Sequence, residues 1–199
     1  MSDDSRSLEI DSMETDDNDS ALAGMGKALR ALQDSATATS APMSVAAQAA
    51  QVIAEATSML EPFAANAESK GTDFPAYVRA RAAHTLMPQM TVIARTAQSV
   101  EFSVLFGIFY RNPFGQVHGG AIAMVFDTAI ARLGLGGTKR FLTANLSVDY
   151  RGAAPTDVEL TVKIRLARID GRKRFIEGEL MNGADLLAEV SALFIESRI

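Results

Sequence analysis

Residues 121–135, AIAMVFDTAIARLGL, read as one long helix that is apolar on nearly every side, and the glycines at 136 and 137 stop it. The segments around it read as strands. MTVIARTAQ (90–98) and VEFSVLFGIFY (100–110) precede it; RFLTANLSVDY (140–150), VELTVKIRLARI (158–169), KRFIEGEL (173–180) and DLLAEVSALFIES (185–197) follow. Asp170-Gly171 and Asn182-Gly183 predict hairpins between the last three. Within 158–166, Val158, Leu160, Val162, Ile164 and Leu166 alternate with Glu159, Thr161, Lys163 and Arg165, so one sheet face packs on a core and the other meets water. A single helix covering such a sheet is best buried by a sheet that curls around it. The expected fold class is therefore α+β, an antiparallel sheet of five to six strands wrapped around one central helix. Its edge strands need partners, which favours dimerisation by edge pairing.

The N-terminal half has a different character. Residues 1–20 hold eight acids against one base and too little apolar surface to order themselves. A short helix is expected over 21–33, and SATATSAPMS at 35–44 reads as a linker. VAAQAAQVIAEATSML (45–60) and PAYVRARAAHTL (75–86) have helical spacing. The expected organisation is a disordered acidic tail and linker over 1–44, a helical extension over 45–87 and the sheet domain over 88–199.

Composition removes several chemistries. The chain has 199 residues, no cysteine and two histidines, so thiolate nucleophiles and cysteine zinc sites are absent and a histidine metal cluster has little material; no metal is expected. No apolar run is long enough for a transmembrane helix, the N-terminus does not resemble a signal peptide, and a cytoplasmic protein is expected. Nucleic-acid binding is not expected, for want of a strong basic excess or a recognised motif. The formal charge of −5 hides two unlike parts: residues 90–199 carry 13 bases against 11 acids.

One residue stands out in the apolar helix. Asp127 is the only ionisable group in 121–131, and its helical neighbours at three and four residues are Ala123, Met124, Ile130 and Ala131. A carboxylate there either reaches water or a partner such as Arg132 at the rim, or is kept for chemistry. Just upstream, His118-Gly119-Gly120 opens the helix, leaving backbone N–H groups and the positive dipole end free to meet a developing oxyanion. Nine residues separate His118 from Asp127, about 13 Å of rise and half a turn of net rotation. The two therefore point to opposite sides of one helix. If they serve one substrate, they do so across two subunits.

The run Asn112-Pro113-Phe114-Gly115-Gln116-Val117-His118-Gly119-Gly120-Ala121, with Asp127 nine residues after the histidine and Thr143 sixteen after that, resembles the signature of hotdog-fold acyl-CoA thioesterases of the phenylacetate-pathway branch. TANLSVDYR (143–151) is similar to the strand after the central helix in that branch's long-chain members. The resemblance covers about 90–199. It implies that Asp127 is the base or nucleophile, that Asn112 and the Gly119 N–H polarise the thioester carbonyl with His118 orienting them, and that Thr143 holds the water or the Asp. Plain alternation along 140–150 instead puts Thr143 on the face away from the helix. RGAAP at 151–155 departs from many relatives, which have a proline sooner after the tyrosine.

Several further readings follow from that resemblance. The substrate is a medium- to long-chain acyl-CoA, no separate cofactor is needed, and the assembly is a homodimer or dimer of dimers. Gly120 contributes to substrate binding. Arg168, Arg172, Lys173 and Arg174 flank one hairpin turn and could meet the CoA phosphates, with Lys139 and Arg140 nearby; the same residues could equally be solvated hairpin charges. Met124, Val125 and Phe126 are read as core and His84 as structural. A non-catalytic acyl-CoA binding or sensing module, and a hotdog hydratase or dehydratase, are the alternatives.

Overall fold

The computed structural model describes residues 21–63, 85–133 and 140–198, apart from the Leu22 side chain. The expectations for residues 1–20, for 75–84 with His84, and for Lys139 lie outside them. Contacts divide the chain at Thr85, and among the described residues the unit before it carries two α-helices. Helix α1 (Ala21–Ala38) and helix α2 (Met43–Leu60) leave only residues 39–42 between them, so most of the expected linker at 35–44 is helical. The reason is that serine and threonine cost a helix only roughly 0.5 kcal/mol each, and the Thr37 hydroxyl finds an acceptor in Gln33 O at 2.8 Å. Pro42, which fits only at a helix start, makes the break. No residue of α2 is buried.

The second unit is the expected antiparallel sheet over one helix. Strands β1 (Gln89–Arg95), β2 (Ser99–Leu105), β3 (Phe141–Tyr150), β4 (Glu159–Asp170), β5 (Lys173–Asn182) and β6 (Asp185–Glu196) form a six-stranded sheet in the order β1-β2-β4-β5-β6-β3. Helix α3 (Gly119–Ala131) buries Ala121, Ile122, Val125, Phe126, Ala129 and Ile130. Met124 is only half-buried, so the expected core positions are met in full by Val125 and Phe126. On β4, Leu160, Val162 and Ile164 are buried, as the alternation requires. The two hairpins turn over Gly171-Arg172 and Gly183-Ala184, each with positive φ at the glycine (53° and 58°), a conformation a side chain would strain.

Two strand ends differ from expectation. β1 stops at Arg95, not residue 98, because the Thr96 hydroxyl accepts the N–H groups of Gln98 and Ser99 and forms a turn. β2 stops at Leu105, not residue 110. Beyond it the chain makes a 3-10 turn, Ile108–Tyr110, that folds Tyr110 edge-on against Phe106 with ring centroids 5.8 Å apart. The aromatic run that looked extended is thus a packed turn.

The sheet ends in two unlike edges. β1 has seven residues and an irregular register between Val92 and Ala94. β3 has ten residues, only one of them charged (Asp149), and among the described residues its one strand partner is β6. The outer sheet face is charged: Glu101, Lys163, Glu179, Glu189 and Asp149 lie side by side across five strands. Arg151 bonds Glu189 at 2.7 Å and lies 3.6 Å from Asp149, and these partners hold its guanidinium above its ordinary pKa. Among the described residues no helix is long and apolar enough to cross a membrane.

Candidate active site

The loop before α3 is a tight structure built on Asn112. Its N–H bonds Gln116 O at 2.7 Å and its C=O accepts Gly115 N at 3.0 Å. Its side-chain Oδ1 accepts from Phe114 N (2.9 Å) and Gln116 N (3.2 Å). With the amide oxygen so committed, the Asn112 side chain offers its NH2 group as a donor. An isolated bridge between Arg111 and Val117 closes the loop, and His118 N donates to Tyr110 O at 2.8 Å.

His118 is the N-cap of α3, and its Nδ1 accepts the Gly120 N–H at 3.0 Å. An accepting Nδ1 places the proton of the neutral ring on Nε2. Its carbonyl takes the N–H groups of Ala121 (2.9 Å) and Ile122 (3.3 Å). Among the described residues the Gly119 N–H meets no acceptor, unlike those of Gly120, Ala121 and Ile122 in the same turn. Gly120, assigned to substrate binding, has its own N–H occupied by His118.

Asp127 is half-buried on α3 and is not unpartnered. Thr143 Oγ1 donates to its Oδ1 at 2.7 Å. This corrects the expectation that Thr143 faces away from the helix. The β3–β6 register pairs Thr143 with Phe194 but Asn145 with Leu193, so Ala144 is an extra residue, a β-bulge. The bulge changes the parity of the strand. Phe141 and Thr143 therefore share the helix side with Leu146 and Val148, while Leu142 is 62% exposed. Arg132, the alternative partner for Asp127, lies with its guanidinium 5.7 Å from the Phe102 ring centroid.

The polar residues thus form two groups at either end of α3: Asn112, His118, Gly119 and Gly120 at its start, Asp127 and Thr143 near its end. The structure also adds a residue to which the sequence assigns no role. Tyr150, at the end of β3, donates its hydroxyl to Gly119 O at 2.8 Å. A tyrosine at a strand end carries no signal by itself.

The four hairpin cations are engaged to different degrees. Arg168 stacks on Phe175 (3.8 Å to the centroid) and lies 3.4 Å from Asp170. Arg172 donates through Nε to Glu196 O at 3.1 Å. Arg174 bonds Gly171 O at 2.8 Å and lies over Phe141 at 4.9 Å. Lys173 is exposed and has no ion pair among the described residues. A cavity of about 440 Å³ opens on the outer sheet face, lined by Glu101, Lys163, Arg165, Glu177 and Glu189 among others, and includes neither Asp127 nor His118. Among the described residues no group of acids and histidines could hold a metal ion.

Comparison with known proteins agrees with this architecture. Residues 114–189 match the model of the thioesterase superfamily. The acyl-coenzyme A thioesterase THEM4 of Xenopus laevis is 32% identical over 92 residues, 45% of this chain and 41% of that one. The chain thus spans about two fifths of the length of this relative. A crystal structure of a thioesterase superfamily protein superposes with a TM-score of 0.75 at 24% identity, over 89% of this chain and 91% of the other, which is a likeness of fold. A phenylacetic acid degradation-related protein from Ralstonia eutropha JMP134 gives a TM-score of 0.50 at 26% identity, over 53% of this chain and 83% of the other.

Proposed function

We propose that the chain hydrolyses acyl-CoA thioesters to a free acid and CoA, a reading supported by the match of residues 114–189 to the thioesterase superfamily model. The observation that carries the reading is the Thr143–Asp127 hydrogen bond. It fixes the one carboxylate on an otherwise apolar helix and engages Oδ1. Oδ2 then takes a proton from water as that water attacks the thioester carbonyl. The C–O bond forms and the carbonyl oxygen takes up the electron pair; as that pair re-forms the carbonyl, the C–S bond breaks and the sulfur takes the proton from Asp127, leaving as the CoA thiol. A positioned carboxylate base contributes roughly 10²–10⁴ in rate.

The oxyanion donors in this reading are the Gly119 N–H and the Asn112 NH2 group of a second subunit. The long, nearly uncharged edge of β3 supports a homodimer formed by pairing two such edges. The acyl group is medium- to long-chain fatty acyl, held against the apolar helix and strands, and Lys173 with its neighbouring arginines meets the CoA phosphates. A panel of acyl-CoAs tests the reading: wild type should release thiol, and Asp127→Asn should lose about 10²-fold or more in kcat. Full rate in Asp127→Asn would sink the assignment. Binding without thiol release would mark a sensing module.

A further inference from the structure

Two glycines in succession are a poor foundation for a donor that has to be aimed. Glycine has the widest backbone freedom of any residue, and Gly119 and Gly120 occupy the first turn of α3, where helix hydrogen bonds do not restrain the N–H groups. Something else must hold them.

The Gly119 C=O and the Gly120 N–H belong to one peptide unit, and that unit is held at both ends. The Tyr150 hydroxyl donates to the carbonyl oxygen at 2.8 Å, and His118 Nδ1 accepts from the amide at 3.0 Å. The preceding peptide is held through His118 O, which accepts from Ala121 and Ile122. The soft torsions between the two planes are φ and ψ of Gly119. Tyr150 restrains them a second way, because its ring crowds the place where a side chain would start. A Cβ on Gly119 would lie 3.1 Å from Tyr150 Cζ, 3.2 Å from its hydroxyl oxygen and 3.3 Å from Cε1.

We infer that Tyr150 is a positioning residue: with His118 it clamps the Gly119–Gly120 peptide and so aims the Gly119 N–H. The role rests on the thioesterase reading above, but the clamp itself can be measured without it. The tyrosine that orients the backbone of residue 119 also crowds the place of a side chain there, which suits a glycine.

The experiment compares Tyr150→Phe, which keeps the ring and removes the hydroxyl, with Tyr150→Ala, which removes both. In the full-length protein, Tyr150→Phe should lower kcat roughly tenfold, the worth of one hydrogen bond, with KM within about twofold. Its melting temperature should stay near that of wild type, and the Gly120 amide should exchange with solvent faster. Gly119→Ala should lower kcat in the wild-type background and cost much less in the Tyr150→Ala background, where the Cβ has room. Unchanged Gly120 exchange in Tyr150→Phe, or an unchanged kcat, would overturn the inference. So would strict additivity of the two alanine variants. If wild type releases no thiol from any acyl-CoA, the thioesterase reading falls. Gly120 exchange then decides the clamp alone: faster exchange in Tyr150→Phe upholds it and equal exchange removes it.

Discussion

Thr143 Oγ1 lies 2.7 Å from Asp127 Oδ1 and gets there through the extra residue Ala144 in β3. The hydroxyl and the bulge are separable. Thr143→Ser keeps the donor and should retain most of the activity, whereas Thr143→Ala should lose about tenfold in kcat. Deleting Ala144 leaves Thr143 opposite Phe194 and next to outward-facing Asn145, so the hydroxyl stays on the helix side and the deletion should cost less than Thr143→Ala. Thiol-release kinetics on the three variants check this, with a deletion as damaging as Thr143→Ala as the adverse result.

Asn112 has two jobs that one substitution divides. Asn112→Asp preserves the oxygen that accepts from Phe114 and Gln116 but removes the NH2 donor. It should therefore fold with an unchanged melting temperature and lose about 10²-fold in kcat. Asn112→Ala should lose the turn as well and melt lower. Calorimetry beside kinetics distinguishes the two, and equal melting of both variants would contradict the turn role.

Two groups separated by about 13 Å of helix rise predict complementation. Asp127→Asn and His118→Ala protomers, each nearly inactive alone, should regain part of the wild-type rate when unfolded and refolded together. Size-exclusion chromatography with light scattering should report at least a dimer. Absence of recovery in a mixed dimer of demonstrated composition would place both groups in one subunit.

If Lys173 meets the CoA phosphates, its loss should register only on substrates that carry them. Lys173→Ala should raise KM several-fold for an acyl-CoA and leave KM for the matching acyl-pantetheine unchanged, with a weaker salt dependence than wild type. Equal effects on both substrates would argue for a structural role in the hairpin.

Gly178 tests the packing beneath the sheet. It sits between Ile164 and Val190 in the ladder, and a Cβ there would collide with Ile164 Cδ1, lie 2.8 Å from Lys163 O and 3.0 Å from Val190 Cγ1. Gly178→Ala should destabilise the protein by about 1–3 kcal/mol in chemical denaturation. Ile164→Val should restore only part of this, because the backbone oxygen stays where it is.

Most of the sheet domain could be read from residue patterns. A continuous apolar run ended by glycines marks α3, and the two-residue period marks β4, where Leu160, Val162 and Ile164 are buried as their spacing requires. The pattern fails where a single local bond outweighs it. Thr96 ends β1 early through its hydroxyl, Phe106 and Tyr110 pack in a turn, and Ala144 shifts the parity on which the reading of Thr143 depended. Tyr150 was beyond reach for a different reason. Its role depends on a contact across 31 residues, and neither residue's immediate neighbours hint at it.

The strand order also bears on how the protein is made. β3, which brings Thr143 to Asp127 and Tyr150 to Gly119, is held in the sheet by β6, and β6 begins 35 residues after β3 ends. A growing chain that has left the ribosome only through β5 already contains every proposed catalytic group, yet β3 has no neighbour to fix its bulge. Activity should therefore appear late in synthesis, when β6 emerges. Until then β3, with a single charge, is exposed on both sides, which makes that interval the one in which the nascent chain is most open to mispairing.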